Sequence, residues 1–153
     1  MNLTPGQVRE VLRLSEETLR HWKRVLPPLR NRNGYRPCFT YGDLLALAVV
    51  KSLVEEVGLT VGALATVAED LFTICNEIGW LSAQRAKLIV QPAAGKVELA
   101  QEQRTLKPFG TIIAVDLSGL VETLQQCLST WHPVDSQQLL RFPPSRMQSG
   151  GRS

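Results

Sequence analysis

The chain has few of the residues that build metal centres or disulfide frameworks. Its three cysteines, Cys38, Cys75 and Cys127, stand far apart, and His21 and His132 are the only histidines. With no Cys-x-x-Cys and no Cys/His pairing, neither a zinc site nor a stapled scaffold is expected. No phosphate-cradling glycine loop is present, the carboxylates form no convincing pair, and the two histidines fall in a helix and in a tail. No enzyme activity, cofactor or metal is therefore expected. Long hydrophobic runs are also missing, since the longest are broken by Lys51 and Glu55, and Met1-Asn-Leu-Thr-Pro5 has neither the basic start nor the apolar stretch of a signal peptide. These absences predict a soluble protein of the cytoplasm, without a membrane segment.

What is present is a 153-residue chain with 44% apolar residues, enough for one domain or for a small domain with an appendage. The net charge of +3 is modest, but the charges are sorted along the chain. Residues 1–41 hold eight Arg/Lys against three acids, residues 42–84 one against six, and residues 85–153 eight against five. A basic head thus sits on an acidic body, and the head is the part suited to a polyanion.

The basic head is organised by helix punctuation. Thr4-Pro-Gly-Gln7 is a helix start, with Thr4 as cap, Pro5 at the first helical position and Gln7 able to bond back. It predicts a helix from about Pro5 to Arg13 with Val8, Val11 and Leu12 inward. Ser15 offers a second cap, followed by Glu16 and Glu17 in the first turn and by Leu19 and Trp22 at the spacing of one buried face. Two short helices joined so tightly form a helix-turn-helix. The second carries Arg20, His21, Lys23 and Arg24. Leu26-Pro-Pro-Leu29 stops it. Arg30 to Cys38 then reads as a hairpin turning at Asn33-Gly34, in the position of a wing.

Thr40-Tyr-Gly-Asp43 is a variant capping box that opens a third helix, apolar on most of its surface, until Gly58. Thr60 caps a fourth helix, predicted as one piece over about Val61 to Ile78 and long enough to leave the winged core. Beyond Trp80 the periodicity changes. Lys87-Leu-Ile-Val-Gln91, the turn Pro92-Ala-Ala-Gly95 and Lys96-Val-Glu-Leu-Ala100 read as a hairpin, and Thr111-Ile-Ile-Ala-Val115 as a further strand. Asp116 or Ser118 caps a last helix through Cys127, with Leu117, Leu120, Val121, Leu124 and Leu128 inward. From His132 onward Pro, Ser, Gln, Gly and Arg predominate, which predicts a disordered tail.

Ser15, Thr18-Leu-Arg20, Trp22, Arg24, Pro27-Pro28, Gly34-Tyr-Arg36, Thr40 with Asp43-Leu44, and Gly58-Leu-Thr60 with Leu64 resemble, in order and spacing, the winged helix-turn-helix of the MerR family of transcriptional regulators. The resemblance covers about Thr4 to Leu71. It implies a homodimer whose recognition helices enter successive major grooves while the wings hold the flanking backbone. The expected fold class is mainly α, α+β: an N-terminal MerR-like winged helix-turn-helix with a small C-terminal strand-strand-strand-helix appendage. The divisions are residues 1–79 for the DNA-binding domain with its following helix, 80–131 for the appendage and 132–153 for the tail. Glu17 stands where members of that family usually carry an arginine, and His21-Trp22 where they often carry two tyrosines.

The expected DNA-binding residues are Ser15, Thr18, Arg20, His21, Lys23, Arg24, Arg32, Tyr35 and Arg36. Arg20 and Arg24 lie one turn apart, so a single face can present two guanidinium forks to phosphates or guanine edges. Tyr35 and Arg36, just past the wing turn, are within reach of phosphate or the minor groove. For an isolated basic helix a solvated surface is the plainer reading, and the adjoining wing reverses that preference. His21 stays open between phosphate contact and plain surface, whereas Trp22 and the three cysteines read as core.

The function expected is a sequence-specific, double-stranded-DNA-binding transcriptional regulator, dimeric and nucleoid-associated. The alternative is a DNA-architectural or recruitment adaptor, like an excisionase or the small subunit of a phage terminase. A third reading, the weakest, is a protein-interaction module whose strands between Leu88 and Val115 pair with a partner. Residues 80–131 are the expected place for a dimer interface, an effector or a protein partner.

Overall fold

Local punctuation sets the helical half. The computed structural model describes residues 2–32, 36–100 and 110–130. Helix α1 spans Pro5–Leu12 and starts with a full capping box: Gln7 N–H donates to the Thr4 hydroxyl at 3.1 Å, and Thr4 N–H donates to the Gln7 side chain at 2.9 Å. It stops at Arg13, which takes the left-handed conformation (φ 56°). Helix α2, Glu16–Val25, starts at Ser15, whose hydroxyl accepts from Thr18 N–H at 3.0 Å. Val8, Val11 and Leu12 of α1 and Leu19 and Trp22 of α2 are buried, so the pair forms the expected helix-turn-helix. Leu26-Pro-Pro-Leu29 ends α2 in a single 3-10 turn, with Leu26 and Leu29 fully buried.

The tip of the expected wing, Asn33 to Tyr35, lies outside the described residues. Beside it, Arg32 N–H closes a turn onto Leu29 C=O at 2.9 Å, and Arg36 and Pro37 form a bend. Phe39 then pairs antiparallel with Leu3, which brings the chain back beside its own start.

Helix α3, Tyr41–Ser52, runs through the middle of the molecule. Thr40 and Asp43 form its capping box, and the positions from Leu44 to Val50 are all buried. Its last turn widens into a π-helical stretch, Leu53–Val57, and Gly58 (φ 88°) terminates it. That φ favours glycine.

The fourth helix is not one piece, which corrects the sequence expectation. Helix α4 covers Val61–Leu64 and α5 covers Ala68–Glu77. Between them Ala65, Val67 and Ala68 N–H groups bond three residues back rather than four. The break falls at Thr66-Val67, where two β-branched residues adjoin and the Thr66 hydroxyl donates to Ala63 C=O at 3.4 Å, competing with the helical ladder. Nor does α5 leave the core, because it packs along α3. A short α6, Trp80–Ala83, follows and was not anticipated.

Strands β1 (Lys87–Gln91), β2 (Lys96–Ala100) and β3 (Ile113–Asp116) form an antiparallel sheet in the order β2-β1-β3. The hairpin has the predicted bounds, and Leu88 faces Leu99 on one side and Val115 on the other. Asp116 caps α7, Leu117–Ser129, whose buried stripe is Leu117, Val121, Leu124 and Leu128, with Leu120 half-buried. Helix α7 packs on α3, α6, α1 and β1. Buried residues from Leu3 to Leu128 consequently form one continuous apolar cluster, shared by the helical and sheet halves. The tail from His132 and residues Arg104 and Lys107 lie outside the described residues. Among the described residues no helix is long and apolar enough to cross a membrane.

Candidate nucleic-acid interface

Burying Leu19 and Trp22 determines what α2 turns outward. With 3.6 residues per turn, the opposite face carries Glu16, Glu17, Arg20, His21 and Arg24, all exposed. The acids occupy the first turn and the cations the last, the order that the helix dipole favours. Arg20 is engaged in the free protein with Glu16, one turn earlier, at 3.5 Å; the two side chains are 62% and 60% exposed. So open an ion pair contributes little and exchanges partners readily. Arg24 and His21 stand beside it.

Ser15 and Thr18 are tied to each other, since the Ser15 hydroxyl also donates to the Thr18 hydroxyl at 2.8 Å. Both hydroxyls help to start α2. Lys23 is half-buried and lines a groove between α1 and α2 together with Arg20 and Arg9. Arg9 was missed in the sequence, which singled out only Val8, Val11 and Leu12 on α1. The groove between α1 and α2 adds it to the basic set.

Arg30 and Arg36 are exposed, whereas Tyr35 lies outside the described residues. Arg32 has a different setting. Its Nε and Nη2 donate to Oδ2 of Asp43 at 3.2 and 3.0 Å, and Asp43 is fully buried. The same Oδ2 accepts from Thr40 N–H at 3.1 Å, and Oδ1 accepts from Asn76 Nδ2 at 3.0 Å. Asn76 Nδ2 also donates to Phe72 C=O at 2.9 Å, which fixes the amide within α5. Every strong donor around Asp43 is thus supplied by a different element. Sequence reasoning saw Asp43 as a helix cap and as one of the residues carrying the family resemblance, not as the partner of Arg32, and passed over Asn76. A polar residue one turn after Phe72, beside the apolar stripe of α5, was the available signal.

The cysteines behave as core or near-core residues. Cys75 is buried, and burial pushes its thiol up to about 12, with the Asp43 carboxylate adding to the rise, so it stays protonated at neutral pH. Cys38 and Cys127 are half-buried. Tyr41, whose hydroxyl burial likewise pushes up to about 12, packs edge-on against Trp80 with ring centroids 6.4 Å apart. Among the described residues no three His, Cys, Asp or Glu side chains gather as metal ligands would.

The family model for MerR HTH family regulatory proteins matches residues 3–71. No curated protein and no solved structure matches the chain. The matched segment runs from Leu3 through the two capped helices, the Arg32–Asp43 pair and α3 to Leu71 within α5. The N-terminal part of this chain is a MerR-type helix-turn-helix domain, and a domain of that type points to DNA binding and transcription regulation.

Proposed function

We propose that the chain is a sequence-specific regulator that binds double-stranded DNA as a homodimer, with α2 in the major groove. The observation that carries this reading is the coincidence of two things. The MerR-type match covers residues 3–71, and within it α2 hides Leu19 and Trp22 while turning Arg20, His21 and Arg24 outward. Arg20 and Arg24 read bases or phosphates, and Lys23 meets the backbone with Arg9 beside it. Arg36 grips the flanking backbone, with Tyr35 assigned to the same strand from its sequence position alone. Ser15 and Thr18 contribute by holding the start of the reading helix.

Dimerisation falls to residues 80–131 in this proposal. Support comes from β2 and β3, the two outer strands of the sheet, and from Leu81, which is 74% exposed on the adjoining α6. Among the described residues each is an edge along which a second copy can extend the sheet. The protein acts in the cytoplasm on the nucleoid.

In vitro selection of duplex DNA by the full chain tests the reading. Enrichment of a motif with two related half-sites is expected, and no enrichment at low salt overturns it. A footprint unaffected by Arg20→Ala and Arg36→Ala overturns the residue assignment. Transcription from a promoter carrying the selected site then separates a regulator from a recruitment adaptor, which would bind the site and leave transcript levels unchanged.

A further inference from the structure

Arg32 has the sequence position of a DNA contact and the surroundings of something else. We propose that it is a positioning residue, which acts through Asp43 and Asn76 to hold the turn after Leu29 against α3 and α5 and does not touch DNA itself. The inference rests on the DNA-binding reading above. Two donor groups of its guanidinium are committed to a carboxylate that no solvent reaches. Its remaining N–H groups are open to solvent, but a phosphate that drew the head away from Asp43 would leave a buried anion with fewer donors, which is unfavourable.

The surroundings oppose a phosphate as well. The surface recess that Arg32 lines is also lined by Glu69 and Glu77, and these two carboxylates repel a polyanion. Arg20, Arg24 and Arg36, in contrast, are exposed.

The network ends on α5. Asn76 holds Oδ1 of Asp43 from the opposite side to Arg32, and its amide oxygen accepts from the Thr40 hydroxyl at 2.5 Å. Three elements are therefore locked by one carboxylate: the turn after Leu29, the start of α3 and the second half of α5. Because Phe39 is pinned to Leu3 at the far end of the segment, the Arg32 tie is the anchor at its near end.

The dependence of affinity on salt separates a positioning residue from a contact. The full chain is titrated with its selected duplex at several salt concentrations, with unfolding curves for every variant. Arg36→Ala, which removes a contact, is expected to make the slope of log K against log salt shallower by about 0.9 per protomer. Arg32→Lys, which keeps the charge but loses the paired donors, is expected to lower affinity about tenfold with the slope unchanged. Asn76→Ala, on a helix outside the proposed DNA face, is expected to weaken binding in the same way. Arg32→Lys binding like the wild type, Arg32→Ala losing about 0.9 of slope, or Asn76→Ala leaving affinity unchanged would each overturn the proposal.

A wild-type chain that binds no duplex defeats the DNA reading instead. The tie is then judged alone from the Arg32 Nε–H exchange rate, expected to be slow in the wild type and faster in Asn76→Ala. Equal rates in the two proteins overturn the tie.

Discussion

Two arginine–carboxylate pairs divide the work of the N-terminal half, and they resemble each other only in composition. Arg20 and Glu16 meet at 3.5 Å on the open face of α2, both more than half exposed. Arg32 and Asp43 meet at 3.0 Å where the carboxylate is wholly buried and the arginine 30% exposed. Water screens the first pair and supplies alternative partners, so it can dissolve when DNA arrives. The second has no such exchange available. The contrast teaches that burial of the anion, more than the presence of a cation, decides which arginines of a basic segment are free to bind.

Asp43→Ala should break the comparison most severely. It leaves the Arg32 guanidinium, the Thr40 N–H and the Asn76 amide without their shared acceptor and removes half of the capping box of α3. The expected loss is roughly 3–5 kcal/mol, the range for stripping one partner from a buried pair. A denaturant melt checks it, and a loss below about 1 kcal/mol would place this pair with the exposed ones.

Gly42→Ala attacks the same network by volume alone. In an ordinary helix the change would stabilise by up to about 1 kcal/mol. Here a Cβ on Gly42 would lie 2.6 Å from the backbone Cα of Asn76, so α3 and α5 must move apart. The clash should win, with a net loss of about 1–3 kcal/mol. An unchanged or raised melting temperature would show that the two helices are free to separate at the tie.

Much of this architecture was legible in the chain, and the limits have physical causes. Thr4, Ser15, Thr40 and Thr60 all cap helices where the sequence placed them, because a cap is a bond within four residues. The hairpin from Lys87 to Ala100 and the stripe of α7 were readable for the same local reason. The break at Thr66-Val67 was not, since an apolar stripe with helical spacing continues straight through it. The buried and exposed faces of α2 were legible because its polarity is periodic. The ion pair of Arg32 was not, because its partners lie 11 residues away in Asp43 and, through that carboxylate, on a helix beyond in Asn76. A basic side chain in a basic run carries no mark of which anion it will meet.

On the α2 side the effects should be smaller. Ser15→Ala removes the hydroxyl that accepts from Thr18 N–H and should cost about 1 kcal/mol, the usual value of an N-cap. Because α2 is the proposed reading helix, affinity for the selected duplex should fall as well. Ser15→Asp, which retains an acceptor, should restore stability while binding stays weaker, since it adds a negative charge at the DNA face. Full recovery of both would mean that the start of α2 stands away from phosphate.

Glu16→Ala gives the smallest change in stability and the clearest test of how the exposed pair is used. Losing an open ion pair and an acid in the first turn is offset by the better helix propensity of alanine, so stability should shift by no more than about 0.5 kcal/mol. Binding should move the other way from that of Ser15→Ala. Without Glu16 the Arg20 guanidinium loses its paired anion, and one negative charge leaves the face proposed to meet DNA. Affinity at low salt should therefore rise by about two- to threefold, an advantage that shrinks as salt screens the repulsion. If affinity falls instead, Glu16 is itself accepting a hydrogen bond from a cytosine amino group, and the acids of α2 help to choose the sequence that its arginines hold.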